Sequence, residues 1–400
     1  MRAAHLLTIG LLACSKPRVP PTDSAPNAAA SSVAPSAPTS AAAPIAASAA
    51  PLTRRSRGTW REAGRLSMAR GGFALLTRPD GVVLVIGGAE NGGDSRPSAY
   101  VDVYRPESGT WSRGPDLPTP RKSATIVALK DGGAAVLFGF ASKGVVEGGE
   151  RLDGKLGAWT KLKAPWVGSD IGAATLDDGR VLVAGGHDKA TECMNECALW
   201  DPAKDAWEQL PRLPEPQVYG GLVVTGGKAH LFGGLCGDRY FPLRVLDPAN
   251  KTWTSGPDGP IERIGESYTA LADGRVLVAG GEPSKLAKDA AAVRRLSIFD
   301  PKTSQWSAGP ALAAQRISHG ATRLRDGRVM LAGGETESFH ETASVEIFDP
   351  ATNTVMEAAP LPRGVSHPSL VTLGDGRVLA VGGWVNTPGR FVGDAWLWTE

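Results

Sequence analysis

The chain has 400 residues, with 43 basic and 41 acidic side chains and a formal net charge of +2. Because the two signs are balanced and mostly interspersed, the charge gives no indication of binding to nucleic acid or to an acidic membrane surface. Fifty glycines and 31 prolines indicate many short strands and turns rather than long helices.

Residues 1–14 differ from everything that follows. Arg2 supplies a positive charge, residues 3–13 are mostly apolar, and Leu11-Leu12-Ala13-Cys14 closes the segment. This pattern resembles a bacterial lipoprotein signal peptide with its lipobox. The resemblance implies that residues 1–13 are removed, that Cys14 carries the lipid, and that Ser15 directs the protein to the outer membrane of the cell envelope. A misassigned start codon or an ordinary frayed terminus is the alternative.

From Ser15 to about Arg57 the chain is nearly all alanine, proline, serine and threonine, without an aromatic residue. Such a segment cannot bury enough apolar surface to offset the loss of chain entropy. The sequence therefore predicts a disordered tether over residues 14–57, which spaces a folded body at residues 58–400 away from a membrane.

One stretch, Arg316 to Gly334, is the template for most of the remaining chain, because similar stretches recur about every 49 residues. It predicts a β-hairpin, in which an alternating apolar run leads to a tight turn at Asp326-Gly327 and a second run ends in a pair of glycines. Seven such pairs, or their degenerate equivalents, follow one another at 87–88, 139, 185–186, 233–234, 280–281, 333–334 and 382–383.

Each unit continues in the same way after its glycine pair. A variable loop and a short apolar strand lead to a turn, usually Asp-Pro, and a tryptophan stands five residues after the proline at Trp111, Trp207, Trp253 and Trp306. This predicts four short strands per unit. Because an isolated apolar sheet would leave both faces in water, seven such sheets should stack face to face around an axis, as a β-propeller.

The combined spacing of glycine pair, turn and tryptophan over residues 58–400 resembles the kelch repeat. The resemblance implies an all-β fold, a seven-bladed propeller of four-stranded antiparallel blades, with each tryptophan packed between adjacent blades. A glycine-rich β-sandwich or a β-helix is the alternative.

The two ends of the repeat region predict how the ring closes. The chain stops at Trp396-Leu397-Trp398, where other units have their third strand, so the seventh unit lacks its tryptophan strand. The missing piece lies at the other end, where Gly58-Thr59-Trp60 matches Gly109-Thr110-Trp111. The N-terminal strand should therefore complete the last blade.

Loops on a rigid scaffold are where binding residues usually lie. The loops before each first strand and after each glycine pair should emerge together on one face, which we name the loop face, and the Asp-Gly and Asp-Pro turns on the opposite turn face. Candidate binding residues are five arginines at the start of first strands and one tryptophan: Arg70, Arg121, Arg263, Arg316, Arg363 and Trp384. The arginines could bind a carboxylate-bearing peptide or an acidic glycan. Alternatively, they pair with acidic residues of neighbouring blades as a support repeated around the ring.

A metal site is also conceivable near the mouth of the central channel. His319 and His367 lie at the start of successive first strands, with Glu266 one blade earlier, and two imidazoles and a carboxylate are a plausible set of copper or zinc ligands. The stretch from Arg316 also resembles the final-blade motif of galactose oxidase, in which a tyrosine-histidine pair binds copper, and His319 matches that histidine. Ser318 replaces the tyrosine, and no cysteine and tyrosine align with that family's cofactor. Local hydrogen bonding is the alternative for both histidines.

Three further histidines are expected to lie singly: His187, His230 and His340.

Three cysteines remain after Cys14. Cys193 and Cys197 share the loop after the third glycine pair, and Cys236 follows the fourth, so all three should be near neighbours in an oxidising compartment. The sequence predicts one disulfide that includes Cys236 and one leftover thiol, with the partner left open. A metal held by three thiolates is the alternative.

Together these patterns predict an exported, lipid-anchored, monomeric binding module with no catalytic residues. Its loop face would recognise a protein or a glycan, and it would touch a membrane only through the lipid on Cys14. One alternative is a carbohydrate-active or metal-dependent enzyme resembling galactose oxidase at the channel mouth. Another is an envelope scaffold without a ligand of its own.

Overall fold

A computed structural model describes residues 58–91, 96–188, 192–260, 263–283, 293–336, 338–386 and 389–400. The signal peptide and the tether predicted over residues 1–57 lie outside the described residues. Within the described part, seven four-stranded antiparallel sheets form the blades of a β-propeller, which confirms the predicted fold. No helix of that part is long and apolar enough to cross a membrane.

The first four blades each use four consecutive main strands, which follow one another from the inner to the outer edge of the blade. Blade 1 contains Ala74–Thr77, Val83–Ile86, Val101–Arg105 and Thr110–Arg113. Blade 2 contains Thr125–Ala128, Ala134–Leu137, Gly149–Leu152 and Trp159–Leu162. Blade 3 contains Gly172–Thr175, Val181–Ala184, Cys197–Asp201 and Ala206–Gln209. Blade 4 contains Gly221–Thr225, Lys228–Phe232, Arg244–Asp247 and Thr252–Ser255.

The last three blades repeat this order, and the seventh borrows its outer strand. Blade 5 contains Arg263–Ala270, Val276–Pro283, Arg295–Asp300 and Gln305–Ala311. Blade 6 contains Gly320–Arg323, Val329–Ala332, Val345–Asp349 and Thr354–Ala358. Blade 7 contains Ser369–Thr372, Val378–Val381, Asp394–Thr399 and the N-terminal strand Thr59–Arg65.

Short accessory strand pairs extend four of the blades. Three of them are hairpins that follow the glycine pair or its equivalent, and the one in blade 1 joins the segment before the inner strand to the segment after the glycine pair. They pair Arg70–Gly71 with Ala89–Glu90, Phe140–Ala141 with Gly144–Val145, Leu235–Cys236 with Arg239–Tyr240, and Trp384–Val385 with Arg390–Phe391.

Two sets of contacts close the ring. The inner strand of every blade contacts the inner strands of both neighbours, including blade 7 with blade 1. In blade 7 the N-terminal strand pairs antiparallel with the C-terminal one, with Thr59 opposite Thr399 and Trp60 opposite Trp398. The predicted closure of blade 7 by the N-terminal strand is therefore confirmed, and the two ends of the propeller share one sheet.

The core lies between the blades rather than inside any one of them. The second strands are buried over their whole length in blades 1, 2, 3, 6 and 7. Buried apolar residues form seven clusters in the described part, one at each junction of adjacent blades. Each sheet thus buries both faces only because it has two neighbours, which is the physical reason that the repeats form a closed ring.

The outer-strand tryptophans join each blade to the one before it. Their indole N–H groups donate to backbone carbonyls of the preceding blade or of the segment that follows it. The pairs are Trp60 to Ala359, Trp111 to Ala63, Trp159 to Pro115, Trp207 to Lys163, Trp253 to Pro211 and Trp306 to Pro257, at 2.6–3.3 Å. Val355 occupies this position in blade 6 and packs in the cluster between blades 5 and 6.

Candidate functional site

The loop face is built on a bridge that recurs in all seven blades. A residue just before each inner strand, or at its start in blade 5, pairs with the residue directly after the glycine pair of the same blade. The seven pairs are Gly71 with Ala89, Lys122 with Phe140, Ser169 with His187, Val218 with Leu235, Ile264 with Glu282, Ile317 with Glu335, and Ser366 with Trp384. These bridges give a common frame for comparing loop residues between blades.

One position further along, every blade has a residue in the left-handed backbone conformation. The members of this left-handed ring are Gly72, Ser123, Asp170, Tyr219, Gly265, Ser318 and His367, with φ between 51° and 71°. Backbone hydrogen bonds link neighbours around the ring, from Ser318 to the carbonyl of Gly265 (3.1 Å) and from His367 to that of Ser318 (2.6 Å). Glycine adopts this conformation freely, whereas a bulky residue such as tyrosine does so rarely.

One residue before each of these bridges lies a position that the backbone hydrogen bonds between blades identify. The backbone carbonyl of the residue at this position accepts a hydrogen bond from the N–H of the second glycine of the preceding blade. Arg121 accepts from Gly88 at 3.2 Å, and Arg316 accepts from Gly281 at 2.9 Å. In blades 3 and 7 the acceptors are Gly168 and Val365, so neither blade has an arginine at this position. Arg363 is therefore not equivalent to the other four arginines, because the residue ten positions after Val355 is Val365, just as Arg316 stands ten positions after Trp306.

Four of the five candidate arginines are buried at the base of the loop face. Arg70, Arg121, Arg263 and Arg316 are each at most 5 % exposed. Each guanidinium donates to the carbonyl that ends the second strand of its own blade, at Gly87, Phe138, Gly280 and Gly333 respectively (2.8–3.1 Å). A side chain so deeply covered offers almost no surface to a ligand.

The same arginines also donate hydrogen bonds to side chains of the third strand of their own blade. Arg70 pairs with Asp102 at 2.7 Å, Arg121 with Glu150 and Arg316 with Glu346, while Arg263 donates to the hydroxyl of Ser297 at 2.9 Å. The structure thus favours the supporting role, within a blade rather than between blades. Arg363 is partly exposed and pairs with Asp394. Burial lowers the pKa of Arg70, an effect that the neighbouring Asp102 opposes.

The three candidate metal ligands do not converge. Glu266 and Ser267 are consecutive on an inner strand and therefore face opposite ways. The carboxyl of Glu266 accepts a hydrogen bond from the Tyr268 hydroxyl, on the side of blade 4 where Gly233 leaves room for both. His319 bonds instead through Nε2 to the Ser267 hydroxyl at 2.8 Å, toward blade 6. His367 belongs to the left-handed ring, and its Nδ1 lies 3.3 Å from the Ser366 hydroxyl.

Among the described residues no three His, Cys, Asp or Glu side chains are placed to hold a metal ion together. The copper or zinc site suggested for Glu266, His319 and His367 therefore has no support in the geometry. Burial has a large effect on two of these groups. It raises the pKa of Glu266 to about 7, opposed by the Tyr268 hydrogen bond, and lowers the pKa of His319 to about 3, assisted by the charge of Arg316.

His187 does not lie singly, contrary to the sequence-based expectation. Its ring packs edge-on against Tyr219 with centroids 5.5 Å apart, and its Nδ1 lies 3.6 Å from a carboxylate oxygen of Asp170. The same oxygen accepts a hydrogen bond from Ser169 at 3.1 Å. The sequence carries no local signal for this cluster, because Tyr219 comes from blade 4 and the other members come from blade 3.

A disulfide joins the loops of blades 3 and 4 beside this cluster. Cys193 is bonded to Cys236, with Cα atoms 5.9 Å apart, and Cys197 is a buried thiol. The prediction that Cys236 takes part and that one thiol is left over is confirmed. Burial raises the pKa of the Cys197 thiol to about 12, so this cysteine is unreactive at neutral pH.

The aromatic surface of the loop face lies between blades 6 and 7. Phe339 is 56 % exposed and has a left-handed backbone with φ of 57°. Trp384 is partly exposed and packs edge-on against Phe391 with centroids 4.9 Å apart. Asn386 joins the two loops, because it accepts the indole N–H of Trp384 at 3.0 Å and donates to the carbonyl of Phe339 at 3.1 Å. We name Phe339, Trp384 and Asn386 the aromatic patch.

Comparison with known families identifies the repeat. The Kelch motif matches residues 73–118, which run from just before the inner strand of blade 1 to just beyond its outer strand. The first blade is a kelch repeat. The tryptophan bond recurs in five of the other six blades and the glycine pair also in five of them, so kelch-like repeats continue around the seven-bladed propeller.

Curated relatives and solved structures extend the likeness of this chain beyond one blade. It is 26 % identical to mouse Kelch-like protein 35 over 315 residues, covering 78 % of this chain and 51 % of the relative. It is 22 % identical to rat Kelch-like protein 38 over 304 residues, covering 73 % and 49 %. The chain thus spans about half the length of these relatives.

Two solved structures share the fold at 17 % identity. One is a fungal alcohol oxidase of the AA5 family in complex with copper, with a TM-score of 0.67 over 86 % of this chain and 76 % of that one. The other is YjhT, with a TM-score of 0.53 over 70 % of this chain and 95 % of that one. At this identity the likeness concerns the fold alone.

Proposed function

We propose that this kelch propeller is a protein-binding module of the cell envelope, which binds its ligand through the loop face and is anchored by a lipid on Cys14. The observation that carries the binding proposal is the aromatic patch. Exposed aromatic side chains supply much of the binding energy of protein interfaces when a partner covers them. The loops that bear Phe339 and Trp384 stand on a rigid ring of blades, as binding loops commonly do.

The conformation of Phe339 supports this proposal. A left-handed backbone costs a bulky residue roughly 1–3 kcal/mol, and such strain is found where a function maintains it. Phe339 recovers little of that cost by burial, because more than half of its surface remains in water. Asn386 nevertheless holds its backbone in place through a side-chain hydrogen bond. The left-handed residue closes the turn between Thr336 and His340, and a large apolar side chain left exposed at such a position is consistent with a role in recognition.

The binding proposal can be tested by panning a phage-displayed library of random dodecapeptides against the immobilised full chain. We expect enriched peptides to bind the double variant F339A/W384A about tenfold more weakly or worse, because truncating interface aromatics typically costs about 2 kcal/mol or more. Met68→Ala is the matched control, since Met68 is the other large apolar side chain exposed in the described part. Failure to enrich any peptide, or equal binding to the double variant, would count against the proposal.

Envelope placement has separate support. The Cys193–Cys236 disulfide is stable in an oxidising compartment and rare in the cytosol. Lipid attachment predicts that cells expressing the full chain incorporate a clickable palmitate analogue into this protein, and that Cys14→Ser abolishes the label because the acceptor thiol is gone. Cys197→Ser is the control and should leave the label unchanged. Label that persists in the Cys14→Ser protein would show that the anchor is elsewhere.

A further inference from the structure

Three carboxylates lie on the same side of the loop face as the aromatic patch. Glu282 and Glu335 directly follow the glycine pairs of blades 5 and 6, and Glu341 forms a bridge with Glu335 across the loop of blade 6. All three are partly exposed. Burial raises the pKa of Glu335, and the nearby charges of Glu341 and Glu282 raise it further.

Hydrogen bonds join two of these carboxylates, Glu335 and Glu341, to the aromatic patch. Glu335 interacts with the side chain of Ser366, whose backbone is bridged to Trp384. Glu341 accepts the backbone N–H of Asn386. The path from Trp384 through Ser366, Glu335, Glu341 and Asn386 therefore returns to Trp384, with Phe339 attached through Asn386. A ligand that covers the two aromatic rings must come close to Glu335 and Glu341.

This negative charge has no counterion within the described part of the chain. Ion pairs elsewhere in the molecule are numerous, and they include every buried carboxylate of the third strands. None of the ion pairs between described residues involves Glu282, Glu335 or Glu341. The aromatic patch is thus bordered by carboxylates that interact with one another and with neutral groups, and a cationic partner would relieve their mutual repulsion.

We propose that the segment bound at the aromatic patch is basic, with an arginine or lysine side chain placed between the aromatic rings and the carboxylates of Glu335 and Glu341. A guanidinium or ammonium group gains from both neighbours, through charge-assisted hydrogen bonds to carboxylates and through attraction to the faces of aromatic rings. An acidic segment would suffer like-charge repulsion at the same place. The inference rests on the proposed function, because it assigns the chemistry of the partner at that site.

The test uses pools of random heptapeptides with one fixed central residue, arginine, lysine, glutamine or glutamate, arrayed and probed with the full chain. We expect the arginine and lysine pools to retain about tenfold more protein than the glutamate pool. The double variant E335Q/E341Q should remove most of this difference, since a hydrogen bond to a charged group contributes about 1.5–3 kcal/mol. Glutamine can keep the hydrogen bonds to Ser366 and Asn386, so the loops should remain in place.

Glu107→Gln is the control for general electrostatic attraction, because Glu107 is an exposed carboxylate of the turn between the third and outer strands of blade 1. It should leave the preference for basic pools unchanged. If all pools bind equally and F339A/W384A still abolishes binding, the inference on charge is wrong and the binding proposal stands. If no pool is retained, or the aromatic double variant binds normally, the proposed function itself is wrong.

Discussion

The two faces of the propeller are made by the ends of the same strands, yet their loops differ. On the turn face, four blades have the same interaction at their Asp-Gly turns. The aspartate carboxylate accepts hydrogen bonds from the backbone N–H and from the guanidinium Nε of the arginine two residues later, the latter at 2.6–2.8 Å. On the loop face, equivalent positions carry different chemistry, such as His187, Glu335 and Trp384 after the glycine pair. Repetition indicates a requirement of folding, and variation indicates where a ligand could act.

Arginine residues have different surroundings on the two faces. The turn-face arginines are partly exposed and interact with carboxylates that are about half exposed, as in Arg275 with Asp273. The loop-face arginines are buried with their carboxylates, as in Arg316 with Glu346. Exposed ion pairs contribute little to stability, whereas removing one partner of a buried pair leaves an uncompensated charge. The fold should therefore be more sensitive to loss of a loop-face arginine than to loss of a turn-face arginine.

The largest expected effect follows from that difference. Arg316→Met should lower the free energy of unfolding by about 3–5 kcal/mol, because it leaves Glu346 charged and buried. Arg275→Met makes the same substitution on the turn face and should cost about 1 kcal/mol or less. Urea unfolding of the two variants beside the wild type measures both values. Equal losses would show that the two faces do not differ in how they are stabilised.

The strands, the blade number and the ring closure were predictable because they depend on local patterns that recur. An alternating apolar run, an Asp-Gly turn and a glycine pair specify a hairpin wherever they occur. Trp60 could be assigned to blade 7 for the same reason, since its neighbours match those of Trp111. Burial of apolar surface between sheets then leaves a ring as the stable arrangement.

The site was less predictable because its contacts join residues that are far apart in sequence. The repeat pattern indicates Arg70, Arg121 and Arg316 as ligand-binding candidates, whereas their partners lie 32, 29 and 30 residues away on third strands. A signal was present, since Asp102 and Glu346 interrupt otherwise apolar strands. Phe339 had no such signal, because its exposure and its strained backbone are properties of a loop whose length differs from blade to blade.

The smaller expected effect is the pH dependence of stability that arises from two buried groups, Glu266 on the inner strand of blade 5 and His319, which bonds to that strand from the other side. Glu266 has a folded-state pKa of about 7 against an ordinary value of 4.5, so its contribution to stability is complete below pH 4.5 and is lost as the pH rises toward 7. His319 has a folded-state pKa of about 3 against 6.5, so its contribution is complete above pH 6.5 and is lost as the pH falls toward 3. Between pH 4.5 and 6.5 the two groups act in opposite directions and largely cancel.

Single variants should separate these opposing contributions. As the pH falls from 6.5 to 4.5, Glu266→Gln should lose thermal stability relative to the wild type and His319→Gln should gain it, by at most about 1.4 kcal/mol per pH unit. The three proteins are compared by the slope of their stability against pH, because either substitution also changes the stability by a constant amount at every pH. His230, whose pKa burial lowers to about 4, titrates identically in all three proteins and cancels in the comparison. The stability of the wild type and both variants is measured by thermal melting at four pH values and plotted against pH. If the three plots are parallel, neither group is linked to folding, and the interior beside the channel is more hydrated than its packing indicates.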